Sequence, residues 1–296
     1  MERIGFWIVK CFAYVNSITP FGLLYLKADF YSFLMYHMVR YRRKVVRENL
    51  LKSFPEKPLQ EIKRIERRFY RNFCDVALET CKVLHLTPEA LRERVKVANP
   101  EVMEQLERQG RSVIMALYHS SNWEWFVNLM GKLVPQRAYV VYKKMENERF
   151  DRLVHQLRTN HSDNGHMMIE DKKAKVELAE LNDGRSAVLM LGDQSPQGSE
   201  KDYWTPFLHR DTCWYRGIGH LAKSHGYAVV FVELDRTARG HYSVTLKPIC
   251  EDPATMQEDQ ILEQYVRYVE RFIQDHPDNW LWSHRRWKHS RQNEAR

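Results

Sequence analysis

Cysteine is scarce and scattered: Cys11, Cys74, Cys81, Cys213 and Cys250 are odd in number and show no Cys-x-x-Cys spacing. Such a set argues against a disulfide frame or a thiolate zinc site and for a reducing compartment. Nor is there a Gly-x-Ser-x-Gly turn to present a serine nucleophile, or a His-Glu-x-x-His helix to hold zinc. Histidine pairs such as His161 with His166 and His220 with His225 are five apart, so neither metal nor cofactor is expected. No small-residue cleavage site follows the apolar N-terminal region, so a signal peptide is not expected. Internal repeats, low-complexity stretches and a linker to a second independent domain are also missing.

At 296 residues and 44% hydrophobic content, the chain suits one large α/β domain with a helical N-terminal addition. Its formal charge of +8 suggests acidic partners. The basic residues cluster beside apolar aromatic stretches and no nucleic-acid motif is present. That favours a membrane surface and an acidic carrier protein over nucleic acid.

Ile4 to Leu26 carries one charge, Lys10, and is interrupted at Thr19-Pro20. It has the length of a spanning helix, or, broken there, of a shallow helical hairpin. Phe30 to Val39 is a second apolar stretch and runs into Arg40-Tyr41-Arg42-Arg43-Lys44, with Arg47 beyond. Apolar residues ending in a basic run suit the cytoplasmic face of an anionic membrane. A buried helix pair with a solvated basic end has the same pattern. We therefore divide the chain into a membrane-associated helical segment, 1–45, and an α/β domain, 46–296.

Pro58 opens a helix with Ile62, Ile65, Phe69, Phe73, Val76 and Val83 at helical spacing. Strands are expected at Val113–Leu117, Ala138–Tyr142, Ala187–Leu191, Ala228–Leu234 and Tyr242–Leu246. Helices are expected at Glu148–Thr159, Asp171–Leu181 and Thr212–Ser224, with Gly184 and Gly226 as C-caps. A last helix would open on a capping box, Thr255-Met-Gln-Glu258, and stop before Pro277. Such alternation predicts a largely parallel or mixed central sheet with helices on both faces.

The chemistry centres on Ala116-Leu117-Tyr118-His119-Ser120-Ser121-Asn122-Trp123-Glu124. A buried strand ends at His119, and Ser121 and Asn122 cap the helix that follows. The carboxyl edge of an open α/β sheet is where ligands bind. Glu124, in the first helical turn, is placed to accept the Nδ1 proton of His119 and leave Nε2 as a base. Spacing alone favours a surface histidine beside a helix cap.

His119-Ser-Ser-Asn-Trp-Glu124 resembles the His-x4-Asp/Glu motif of glycerolipid-type acyltransferases. Its Asn-Trp-Glu resembles the late lauroyl and myristoyl acyltransferases of lipid A biosynthesis. Three further blocks agree in order: Tyr142-Lys143-Lys144-Met145 with Arg158; Gly192-Asp193-Gln194; and Asn279-Trp280-Leu281-Trp282-Ser283-His284-Arg285-Arg286-Trp287-Lys288. The resemblance runs from about Val39 to Lys288.

It implies an enzyme that moves a fatty acyl chain from acyl carrier protein, or acyl-CoA, to a hydroxyl or amine of a lipid A precursor or related envelope lipid. The work would be done at the cytoplasmic face of the inner membrane. His119 would be the base and Glu124 its partner, with direct attack by the acceptor because no nucleophile elbow is present. Arg158, near the family's active site, would bind phosphate or the oxyanion. Asp193 and Gln194 would meet the acceptor hydroxyl, although Gly192-Asp193 and Pro196-Gln197-Gly198 read equally as turns. Asn122 and Lys144 complete the substrate-binding set, with Lys144 standing where the family often has arginine. Cys213-Trp214-Tyr215-Arg216 replaces the family's small residues near Pro206-Phe207-Leu208. An acidic carrier would meet Arg40 to Arg47 and Arg285 to Lys288. The alternatives are an amino-acid lipid or phosphoglycolipid acceptor, a lipid or thioester hydrolase, and a non-catalytic membrane-binding module.

Overall fold

The computed structural model describes residues 2–161, 167–196, 203–289 and 291; His166, Gln197 and Gly198 lie outside them. Pro20, which cannot donate a backbone hydrogen bond, separates α1 (Glu2–Ile18) from α2 (Phe21–Phe33). A π-helical turn over Leu34–Val39 then leads to α3 (Arg43–Ser53). The long α4 (Leu59–Lys82) follows Pro58, as its apolar spacing predicts. Among the described residues no helix is long and apolar enough to cross a membrane.

Beyond α4 come α5 (Pro88–Arg92), β1 (Val95–Val97), α6 (Glu101–Arg108), β2 (Val113–Leu117), α7 (Trp123–Leu133), β3 (Arg137–Tyr142) and α8 (Glu148–Thr159). The chain continues through β4 (Met167–Glu170), α9 (Ala174–Glu180), β5 (Ser186–Leu191), β6 (Tyr203–Phe207), β7 (Arg210–Trp214), α10 (Gly217–His225), β8 (Ala228–Ala238), β9 (His241–Cys250) and α11 (Glu258–Asp275). Seven strands form one sheet in the order β1-β9-β8-β2-β5-β3-β4, parallel throughout except for the β8–β9 hairpin. β6 and β7 form a separate antiparallel pair.

Every residue of β2 is buried, as a central parallel strand covered on both faces requires. Ile114 and Ala116 point into a core built with α4, α10 and α11, while Val113, Met115 and Leu117 point into one built with α6 and α7. β2 and β5 pair with Leu117 opposite Leu191. Their ends are pinned by the Tyr265 hydroxyl of α11, which donates to Leu117 O at 2.8 Å and accepts from Gly192 N at 3.2 Å. A Cβ at Gly192 would lie 2.8 Å from Ile218 Cδ1 and 3.2 Å from Tyr265 Cε1, so a larger residue here would have to displace the Ile218 side chain.

Four local expectations differ. Thr212 lies in β7 and the helix begins at Gly217, because Thr205 and Thr212 pair across a hairpin whose β-branched and aromatic residues favour strand. The capping box of α11 is formed by Gln257 and Gln260; Thr255 ends a 3₁₀ turn begun at Pro253. Gly226 caps α10 in the left-handed region, but α9 already ends at Glu180 on Leu181, leaving Gly184 in the following turn. The short parallel strands β1 and β4 lack a pattern long enough to reveal them.

The N-terminal helices are joined to the body by packing and by ion pairs. Leu24 and Ala28 of α2 pack on Cys74 and Leu78 of α4. Asp75, wholly buried on α4, pairs with Arg236 and Arg239 of the β8–β9 hairpin at 2.5 Å each. Arg239 also reaches Asp29 of α2 at 2.8 Å. Removing one partner of a buried ion pair leaves the other charge uncompensated, at a cost of about 3 kcal/mol. Asp75→Asn should therefore lower the thermal midpoint by several degrees in a melt. A midpoint within one degree of wild type, the scatter of such melts, would show that the cluster does not hold the hairpin on α4.

Candidate active site

His119 and Asp193 each lie two residues past a paired strand end, Leu117 of β2 and Leu191 of β5. The parallel register therefore brings together two residues 74 positions apart. His119 Nδ1 meets Asp193 Oδ1 at 2.7 Å, and the His119 backbone N–H donates to Oδ2 at 3.1 Å. The indole of Trp280 donates to the same Oδ2 at 2.8 Å. Burial tends to raise the Asp193 carboxyl, but His119 and the three donated hydrogen bonds outweigh it and hold it below the usual carboxylate value. An ionised Asp193 accepts Nδ1–H, so the Nε2 lone pair faces outward. There it accepts from the exposed Gln194 amide at 3.2 Å.

The partner of His119 thus differs from the one its spacing suggests. Glu124 receives Arg158 through Nε at 2.8 Å and Nη2 at 2.6 Å, and Trp123 Nε1 at 3.0 Å. Burial pushes the Glu124 carboxyl up, but the Arg158 guanidinium more than reverses this and holds it low. Glu124 therefore fixes Trp123, whose ring meets the His119 ring edge-on with centroids 5.3 Å apart. A residue five places into a loop and helix start cannot compete with Asp193, which the strand pairing brings up directly.

Other side chains fall into two groups. Gln194 touches the base. Asn122 is buried: its Oδ1 caps α7 at Trp125 N (3.1 Å), and its Nδ2 donates to Glu79 Oε2 (2.9 Å). It shapes the loop. Lys144 is exposed and stands 3.5 Å from Glu170, apart from this cluster. His284 accepts from Ser195 N at 3.2 Å, and burial pushes its imidazole down to about 4, which suits a neutral acceptor. Ser121 adopts φ 49°, a left-handed conformation costly for a non-glycine residue, and its N–H donates to Asn279 O at 3.1 Å. Leu281 N donates to His119 O at 3.1 Å, so the 279–282 segment holds the histidine loop from outside.

Trp280 was not legible as a site residue. It and Trp282 are buried, so these two rings pack into the body behind the site and do not face outward. Beside it lies a cavity of about 280 Å³ with Phe69, Phe73, Val76, Trp123, Glu124 and Leu281 in its walls. The arrangement is an imidazole with a buried carboxylate behind it and an apolar cavity alongside.

His119→Ala should lose roughly 10²–10⁴-fold in turnover, the usual worth of a general base. Asp193→Asn should come close to that loss, since an amide at this position cannot hold the imidazolium; Glu124→Gln should lose less. The opposite order of Asp193 and Glu124 would return the orienting role to Glu124. Because the Asp193 carboxyl is depressed in the fold, its stabilising contribution is present above the ordinary carboxylate value. It is lost as pH falls through the depressed one. Acid titration of unfolding should therefore show a shallower slope for Asp193→Asn than for wild type.

A family model described as bacterial lipid A biosynthesis acyltransferase matches residues 1–289. The chain is 23% identical over 275 residues to the lipid A biosynthesis lauroyltransferase of Escherichia coli (strain K12), covering 91% of this chain and 86% of that protein. It is also 23% identical over 251 residues to the lipid A biosynthesis palmitoleoyltransferase of the same strain, covering 83% and 79%. A lipid A biosynthesis acyltransferase of Shigella flexneri matches to the same extent. A match across nearly the whole chain, with the histidine loop at the carboxyl edge of the sheet, places this protein in the bacterial lipid A biosynthesis acyltransferase family.

Proposed function

We propose that this acyltransferase moves a fatty acyl group from a thioester donor, acyl carrier protein or acyl-CoA, to a hydroxyl of a lipid A precursor. The observation that carries the mechanism is the outward Nε2 of His119 backed by a buried, ionised Asp193. The acceptor hydroxyl takes the place of the Gln194 amide at Nε2 and gives up its proton there. Its oxygen attacks the thioester carbonyl, and the tetrahedral intermediate collapses with cleavage of the C–S bond. The imidazolium, held by Asp193, returns the proton to the departing thiolate. The apolar cavity between α4 and Leu281 takes an acyl chain.

The work is done at a lipid surface, most simply the cytoplasmic face of the inner membrane. Trp7, Ile8, Leu26, Phe30, Met38 and Val39 are each more than half exposed, all within the first forty residues. Exposed apolar side chains concentrated in one segment support docking on a bilayer rather than crossing it. Because α2 is built into the body through Asp29 and Tyr25, removing the segment would also damage the fold. Point substitutions are therefore the cleaner test.

Incubation with acyl carrier thioester and a lipid A precursor should yield acylated lipid; free fatty acid alone would indicate a hydrolase. Replacing Trp7, Ile8, Leu26 and Met38 together by serine should leave the melting curve intact. It should also weaken co-flotation with vesicles about 1,000-fold, since each of the four immersed apolar side chains contributes on the order of 1 kcal/mol. Unchanged flotation would rule out this face as the anchor.

A further inference from the structure

The basic run after Val39 does not form an open patch. Arg43 and Arg47 both turn to Glu66, a wholly buried carboxylate on α4. Arg42 donates to Ser283 O at 3.0 Å. In the second expected patch, Arg286 is buried over the Trp214 ring at 4.3 Å, and burial pushes its guanidinium down to about 10. Arg43, Arg47 and Arg286 are thus withdrawn from the basic surface that each stretch suggested.

Arg40 and Arg42 stay at the surface, while Lys44, Arg285 and Lys288 meet at one place. A cavity of about 470 Å³ is lined by Lys44, Glu48 and Lys52 of α3, by Arg210, and by Arg285, Trp287 and Lys288. Its single carboxylate, Glu48, is taken by Lys52 at 2.8 Å. Among the described residues no carboxylate pairs with Lys44, Arg210, Arg285 or Lys288. Arg210 lies against the Trp287 ring at 3.1 Å and is anchored by Ser53 Oγ at 2.6 Å, while its Nε is buried without a partner. Four cations converge on a space suited to a small anionic group, too narrow for a protein face.

Position identifies the anion. Lys44 follows the exposed Met38, Val39 and Tyr41 within six residues, so one wall of the cavity adjoins in sequence the stretch where apolar side chains give way to charge. The opposite wall is tied to the catalytic loop: Ser195, two residues after Asp193, donates to Arg285 O at 3.1 Å and Arg286 O at 2.6 Å. An anion bound here sits in fixed register with His119. We infer that Lys44, Arg210, Arg285 and Lys288 form a phosphate-binding pocket for the headgroup of the lipid acceptor, holding it while another part of the same molecule presents its hydroxyl to His119. This rests on the acyl-transfer reading for its purpose but not for its detection.

The test is equilibrium binding to the full chain in neutral detergent, without donor, so that it reads the pocket whether or not turnover occurs. The probes are a phosphorylated lipid A precursor and the same lipid after phosphatase treatment. Wild type should bind the phosphorylated lipid at least about tenfold more tightly, the worth of one good charged contact. The variant carrying Lys44→Gln, Arg285→Gln and Lys288→Gln should bind the two lipids alike. All three side chains are exposed, so the fold should survive, and a melting curve verifies it. If the variant keeps the discrimination, the phosphate is read elsewhere and the inference fails. It also fails if the variant keeps the discrimination but loses its preference for vesicles containing phosphatidylglycerol over pure phosphatidylcholine, since the pocket would then serve bulk anionic lipid. Loss of discrimination with no acyl transfer by wild type would retain the pocket and overturn the proposed reaction instead.

Discussion

The Asp193 carboxylate is the point on which the site depends. It lies almost wholly inside the protein yet accepts the His119 imidazole, the His119 backbone N–H and the Trp280 indole. A buried carboxylate is costly unless its oxygens are satisfied. Satisfying them here joins the end of β2, the end of β5 and the segment after α11. One ionised group thereby sets the tautomer of the base and the position of the loop that carries it.

A second buried acid extends this order outward. Glu79 on α4 accepts from Tyr25 of α2 at 3.0 Å, from Asn122 at the head of α7 at 2.9 Å, and from Tyr242 of β9. Its backbone oxygen also accepts the Trp125 indole at 2.8 Å. Burial raises the Glu79 carboxyl, with hydrogen bonds from Tyr242 and Asn122 opposing that shift. The N-terminal helices thus rest on the same α4 turn that supports the helix cap behind His119. The apolar face they expose is thereby held in fixed position relative to His119.

The arginines show why charge in a sequence is a poor guide to charge on a surface. The stretches Arg40 to Arg47 and Arg285 to Lys288 look alike as basic runs. In the fold, Arg43, Arg47 and Arg286 face inward to a carboxylate or an indole, because a planar guanidinium can be buried against such partners. The residues left over converge from three separate parts of the chain.

Much of the architecture was legible beforehand. The buried runs of β2 and β5, the Pro20 and Pro58 breaks and the apolar stripe of α4 rest on local periodicity and backbone chemistry, which a sequence carries in full. The ordered motifs marked His119, Asp193, Gln194 and Arg158 as members of one site. The sequence by itself determined most of the element types and singled out His119 together with the residues expected around it. Which carboxylate meets the His119 imidazole was decided only by tertiary structure. Glu124 is five residues away along the chain and Asp193 is 74, but β2 and β5 pair in parallel with Leu117 beside Leu191. That register brings Asp193 to Nδ1, while Arg158 draws Glu124 aside. Sequence distance constrains where a helix turn can reach; strand pairing is a long-range choice made by the whole core, and it outweighed the local motif.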